Sequence, residues 1–191
     1  MMKVSKLFLL IAICASAVGL SQGRNISGIV DAGGNPEGKI VVSDVKDYRG
    51  MFRVNDKPID MLEETKLLCA PPVLGHGPHY DPGVVYYINE IARRGLSQYA
   101  DKKQFPVGSI IVKEKQEKKT EDSVQIITVM KKVSSTRDDG SWDYKMYDAK
   151  KWTEIDISQQ ASSRSSCIGC HRQYKNSDYV SHRGIELLLA K

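Results

Sequence analysis

The sequence predicts an α+β fold, an antiparallel β-sheet with helices flanking it. Three observations predict it. Four runs rich in β-branched and aromatic residues follow one another between residues 84 and 148, two of them separated only by the polar segment QEKKTED. Two predicted helices bracket the first of these runs, the earlier one with apolar residues at near-helical spacing after a capping Asp56. The length of 191 residues, 41% of them apolar and 27% charged, fits one domain with one core, and excludes a disordered polyelectrolyte and low-complexity classes.

Residues 1–20 read as an export signal. Lys3 and Lys6 make a positive start, residues 7–17 (LFLLIAICASA) are an apolar stretch, and small residues follow. The stretch is about half of the roughly twenty residues that a membrane span needs. Cys14 does not make a lipobox, because Ile13 stands where a small residue is wanted. Removal of the segment takes the net charge from +5 to about +3, too small and too dispersed for nucleic-acid binding. The mature protein is expected in the periplasm of a bacterium or secreted, without a membrane span.

Residues 21–38, rich in Gly, Asn and Ser, read as a flexible lead-in, and residues 39–191 as the single structured domain. Within it, residues 56–68 are expected to form a short helix capped by Asp56, with Ile59, Leu62 and Leu67 on one side, ending at Cys69-Ala70-Pro71-Pro72. Residues 84–89 are expected as a strand and 89–98 as a helix. Residues 108–115 and 123–133 form a hairpin. After the Asp138-Asp139-Gly140 turn, residues 141–148 alternate so that Trp142, Tyr144 and Met146 share one face, as packing residues of the core or of a bound group.

The chemistry is concentrated at residues 167–171, Cys-Ile-Gly-Cys-His. With four Cys and four His in the chain, such a match arises by chance roughly two times in a thousand. Cys167 and Cys170 lie one helical turn apart, so each can form a thioether with one vinyl group of a haem. His171, next in line, then falls under the ring as the proximal iron ligand. The motif predicts one covalent haem c and no other metal. A zinc site from Cys167, Cys170, His171 and His182 has the right atoms, but adjacent Cys and His ligands are awkward; a disulfide is the other bland alternative for exported cysteines. Only twenty residues follow His171 and none is methionine, which excludes the layout of the commonest small electron carriers. A sixth ligand must come from upstream, from Met51, Met61, Met130, Met146, His76 or His79, or be absent, leaving iron open to small molecules.

The chain also resembles the cytochrome P-460 family, whose relatives include the cytochromes c′-beta. The matching pieces are Tyr86-Tyr87-Ile88-Asn89-Glu90-Ile91-Ala92, the segment from Phe105-Pro106-Val107-Gly108 to Lys113-Glu114, Val129-Met130-Lys131-Lys132, Ser141-Trp142-Asp143-Tyr144, CIGCH and Asp178-Tyr179-Val180. They span residues 86–180 in family order. The resemblance implies a mostly antiparallel sheet, a homodimer, one covalent haem with a proximal His, and either hydroxylamine oxidation or binding of gases, chiefly nitric oxide. In the oxidising branch a lysine of the strand after the Pro-x-Gly turn bonds to a haem meso carbon, and Lys113 matches that position.

The residues around Lys113 favour a different expectation. It sits in the charge run IVKEKQEKK, which a solvated strand also shows, and shares a strand face with Ile111 and Lys115. Glu114, the nearest carboxylate, faces away from any haem that Lys113 faces. His76 and His79 read as a rigid turn or surface pair, and Cys69 as a buried thiol. Three functions stay open: a nitric-oxide or other small-ligand binder, a hydroxylamine-oxidising enzyme with a Lys113 crosslink, and a six-coordinate carrier serving a periplasmic redox partner.

Overall fold

The computed structural model describes residues 38–60, 83–156 and 166–190, all within one compact unit, Asp31–Lys191. Five strands form a single antiparallel sheet in sequence order: β1 (Phe52–Arg53), β2 (Gly83–Ile88), β3 (Ile110–Gln116), β4 (Val124–Lys132) and β5 (Trp142–Asp148). The helices are α1 (Glu90–Lys102), α2 (Cys167–His171) and α3 (His182–Leu189). The predicted α+β class and its four principal strands are therefore present. The export signal, nearly all of the lead-in, Cys69, His76 and His79 lie outside the described residues.

Strand β2 runs into α1 through Asn89, whose side chain does three things at once. Its Oδ1 accepts from the Ala92 and Ile110 amides, both at 3.0 Å, and its Nδ2 donates to the Gly108 carbonyl at 2.8 Å. One residue thus caps the helix and ties it to the start of β3. The helix runs four residues past the expected end, to Lys102, because Tyr99 and Ala92 bury against the sheet and extend the apolar face. Gly108 closes the Pro106-Val107-Gly108 turn with φ 88°, a left-handed conformation in which a side chain would be strained.

The expected helix over 56–68 does not begin where the pattern placed it. Ile59 instead makes an antiparallel bridge to Val84, so its apolar side chain is used at the sheet edge, while residues 61–68 lie outside the described set. At Ile59, tertiary pairing overrides helical spacing.

Both faces of the sheet are covered. On one, Val84, Tyr86, Ile88, Ile111 and Trp142 pack with Ala92, Tyr99, Phe105, Tyr179, Val180 and Leu188, and Met130, Tyr144 and Ile168 adjoin them. On the other, Val85, Tyr87, Val112, Ile127, Val129 and Tyr147 pack with Ile40, Val45 and Tyr48 from the segment before β1. Strand β3 is consequently buried along its whole length, charges included. Lys131 reaches Asp44 at 2.9 Å and helps hold that N-terminal segment down.

Candidate functional site

Helix α2 is a single turn, and local chemistry explains it. Ser166 caps it, accepting from the Gly169 amide at 3.0 Å, and Ile168 docks against the first core face. That docking puts Cys167 and Cys170 on one turn beside the sheet, with no disulfide between them. Burial pushes the Cys167 thiol up to about 11, against the opposing pull of the Lys115 and Lys113 charges. The sulfur is therefore held as a thiol at neutral pH.

His171 closes the turn and is tethered from behind. Its Nδ1 lies 2.6 Å from the carbonyl oxygen of Tyr179, so Nδ1 carries the proton and donates it to that bond. Although the residue keeps some surface, its ring sits deep among protein atoms, and burial pushes its pKa down to about 4; the Tyr179 bond opposes the shift and the Lys113 charge adds to it. The imidazole is neutral, with its lone pair on Nε2. That tautomer is the one an iron ligand requires, and the backbone bond behind it is the usual way of fixing ring orientation.

The Tyr179 carbonyl is aimed by an unusual stretch of chain. Asp178 and Tyr179, consecutive and neither of them glycine, have φ values of 53° and 65°. Two such residues cost roughly 1–2 kcal/mol each. Opposing that cost, the fully buried Asp178 carboxylate accepts from Lys132 Nζ at 2.6 Å and from the Phe105 amide at 2.8 Å. Hydrogen bonds involving charged groups are worth about 1.5–3 kcal/mol each, enough to hold the turn. These two residues were not singled out as site residues by the sequence. The Asp178-Tyr179-Val180 and Lys131-Lys132 pieces of the resemblance were the available signal, but Lys132 and Asp178 are 46 positions apart and only the fold joins them.

Lys113 is not a solvated strand lysine. It is 8% exposed and lies in register between Tyr86 on β2 and Thr128 on β4, on the face that carries Ile111, Met130 and Tyr144. This is the face against which Ile168 and the CIGCH turn pack, and the charge of Lys113 is felt at both His171 and Cys167. The charge run misled because it presumes that one face of β3 is wet. Glu114 points the opposite way, into the second core face, where its fully buried carboxylate accepts from Tyr48 Oη at 2.5 Å, Gln116 Nε2 at 2.6 Å and Arg49 Nε at 3.1 Å.

Of the other expected ligands, Met51 packs on the Tyr48 side of the sheet. Met130 stands opposite Tyr144 in the β4–β5 register, and Met146 is buried in β5. Met61 lies outside the described residues. Cys167, Cys170, His171 and His182 do not form a tetrad: among the described residues, no group of three or more Cys, His, Asp or Glu side chains is placed to hold a metal ion.

The residues present fit a haem. A neutral imidazole offers Nε2 on the same turn as two thiols, and the ring of Tyr144 lies 5.1 Å from that of His171. The Tyr144 hydroxyl is buried with no hydrogen-bond partner, a polar atom that a group bound beside His171 would satisfy. An antiparallel sheet presenting such a site defines an α+β haem protein. In keeping with this, the family model of Cytochrome P460 matches residues 81–182, from the start of β2 through CIGCH to the first residue of α3. That is more than half of the chain, and the chain belongs to the cytochrome P460 family. No curated protein matches it closely.

Proposed function

We propose that the protein is an exported mono-haem c-type cytochrome whose haem, attached through Cys167 and Cys170 and ligated by His171, keeps an open or weakly held sixth position for nitric oxide or another small ligand. The observation that carries the reading is the His171 tether: Nδ1 donates to the Tyr179 carbonyl at 2.6 Å and Nε2 is left with its lone pair for a metal. When bound, the haem supplies an iron that can take a diatomic ligand or accept electrons. The chain supplies the rest. Cys167 and Cys170 would hold the haem, His171 would ligate its iron and set its electron richness, and Tyr144 packs on the His171 ring. Support for an open sixth position comes from two of the candidate methionines. Met130 is tied into the sheet as the cross-strand partner of Tyr144. Met51 lies across the sheet.

A second reading, hydroxylamine oxidation with a Lys113–haem crosslink, gains from the burial of Lys113 on the CIGCH side. Export, the homodimer and a periplasmic redox partner belong to the same proposal, carried by residues 1–20 and by the family resemblance.

Expression in a periplasm with haem-maturation machinery tests it. The purified protein should keep its haem through acid-acetone extraction, and Cys167→Ala with Cys170→Ala should lose it. The ferric protein should be high-spin, and the ferrous one should bind carbon monoxide rapidly. A low-spin ferric spectrum with methionine ligation would overturn the open-position reading in favour of the carrier. Proteolysis of the holoprotein separates the remaining two: a haem peptide carrying only CIGCH supports the ligand binder, and one that also carries the Lys113 segment supports the oxidising enzyme.

A further inference from the structure

We infer that Asp178 and Lys132 are positioning residues for the iron's proximal ligand: the buried pair holds the Tyr179 carbonyl at His171 and so sets how strongly His171 donates to iron. The inference rests on the haem reading above.

The turn carrying that carbonyl has two kinds of support. Most of its hydrogen bonds are local. The Asp178 amide donates to the Lys175 carbonyl at 3.2 Å, the Tyr179 amide to Tyr174 at 2.8 Å, and Ser177 Oγ to the Val180 carbonyl at 2.7 Å. These close the turn on itself but say nothing about where it sits. The Asp178 carboxylate is different, because both its oxygens reach distant chain: Lys132 on β4 at 2.6 Å and the Phe105 amide after α1 at 2.8 Å. Through it the turn is registered against the sheet, while Tyr179 Oη, 3.4 Å from the Arg137 carbonyl and 3.3 Å from Asp139 Oδ1, reaches only the loop before β5.

The sheet end of the pair is equally fixed. Lys132 is fully buried, its Nζ 5.3 Å from the centre of the Trp142 ring and 3.3 Å from the Thr136 carbonyl. Trp142 is the β5 partner of Lys132, and two residues further along the same face Tyr144 packs on the His171 ring. The histidine is thus gripped from two directions by neighbouring positions of one hairpin, by ring contact from Tyr144 and by hydrogen bond through Asp178 and Tyr179. The left-handed φ values of Asp178 and Tyr179 follow from this geometry, since a relaxed backbone there gives up the anchored carbonyl.

A hydrogen bond donated by Nδ1 raises the basicity of the ligating nitrogen. Loss of the anchor should therefore weaken the iron–histidine bond and make the ferrous state easier to reach. An ordinary buried ion pair would change stability alone.

The test uses the haem-loaded full chain and two variants. Asp178→Asn strands the Lys132 charge and can fail to fold. Lys132→Met with Asp178→Asn leaves no buried charge unpaired and keeps an acceptor for the Phe105 amide. The expected result is a downshift of the iron–histidine stretching band in the resonance Raman spectrum of the ferrous protein, together with a raised reduction potential, in every variant that folds. A band and potential unchanged from wild type, with only thermal stability lowered, would overturn the inference. Failure of the haem reading looks different: wild type itself would then show no iron–histidine band, or His171→Ala would leave its spectrum unaltered.

Discussion

Glu114 and Lys113 are adjacent in sequence and face opposite sides of the sheet, so substituting each in turn should separate stability from haem chemistry. Glu114→Gln keeps the volume and removes one acceptor oxygen's worth of charge. In the native protein Oε2 accepts from Tyr48 and Arg49 and Oε1 from Gln116. A glutamine has a single, uncharged acceptor oxygen, so its NH2 group faces either the Tyr48–Arg49 pair or Gln116, whose amide must flip to accept from it, and in both cases the charge-assisted bonds are lost. The Tyr48 bond, buried and very short, involves a charged acceptor and is worth about 1.5–3 kcal/mol. The Arg49 contact adds little, because its side chain is 49% exposed and the pair is screened, to about 0–1 kcal/mol. The expected loss is about 2–4 kcal/mol, read as a lower denaturant midpoint at unchanged slope. The haem spectrum and the ligand-binding rate should stay at wild-type values. Lys113→Met should do the reverse, shifting the haem spectrum by removing a charge that bears on His171 and Cys167 while its volume is kept. An altered haem spectrum in Glu114→Gln, or a silent Lys113→Met, would refute the division of the two faces.

Two further outcomes follow from packing and burial. A Cβ at Gly95 would stand 2.4 Å from Cδ of Pro106, so Gly95→Ala should destabilise: overpacking of about 1–3 kcal/mol exceeds the roughly 1 kcal/mol gained in helix propensity, and a raised melting temperature would contradict it. Burial pushes Tyr86, Tyr99 and Tyr147 up to about 12 from the ordinary 10.0. Because the folded state holds these protons more tightly, the contribution is intact below pH 10 and is lost as pH rises toward 12, about 3 kcal/mol for each residue. Three such losses rival the whole stability of a domain, so phenolate absorbance should rise together with cooperative unfolding between those pH values; free titration near pH 10 of a protein still folded would count against it.

The Cys-x-x-Cys-His spacing, the four principal strands and the α+β class were legible in the sequence because each rests on local pattern. Two thiols and an imidazole within five residues need no tertiary information to be recognised, and neither do β-branched runs broken by polar turns. The alternation of Trp142 and Tyr144 likewise put both on one face, and the structure packs both there. The misreadings share one cause. Ile59 follows helical spacing yet bridges Val84, and Lys113 sits in a charge run yet is buried, because what covers a strand is decided by chain far away in sequence. The N-terminal segment closes the Glu114 side, and the C-terminal turn bearing CIGCH closes the Lys113 side, leaving β3 no wet face. The same long-range closure brings Lys132 to Asp178 and turns the Tyr179 carbonyl onto His171. Local sequence determined which side chains could serve a haem; the sheet decided on which face each of them lies, because facing is a property of register and cover rather than of spacing.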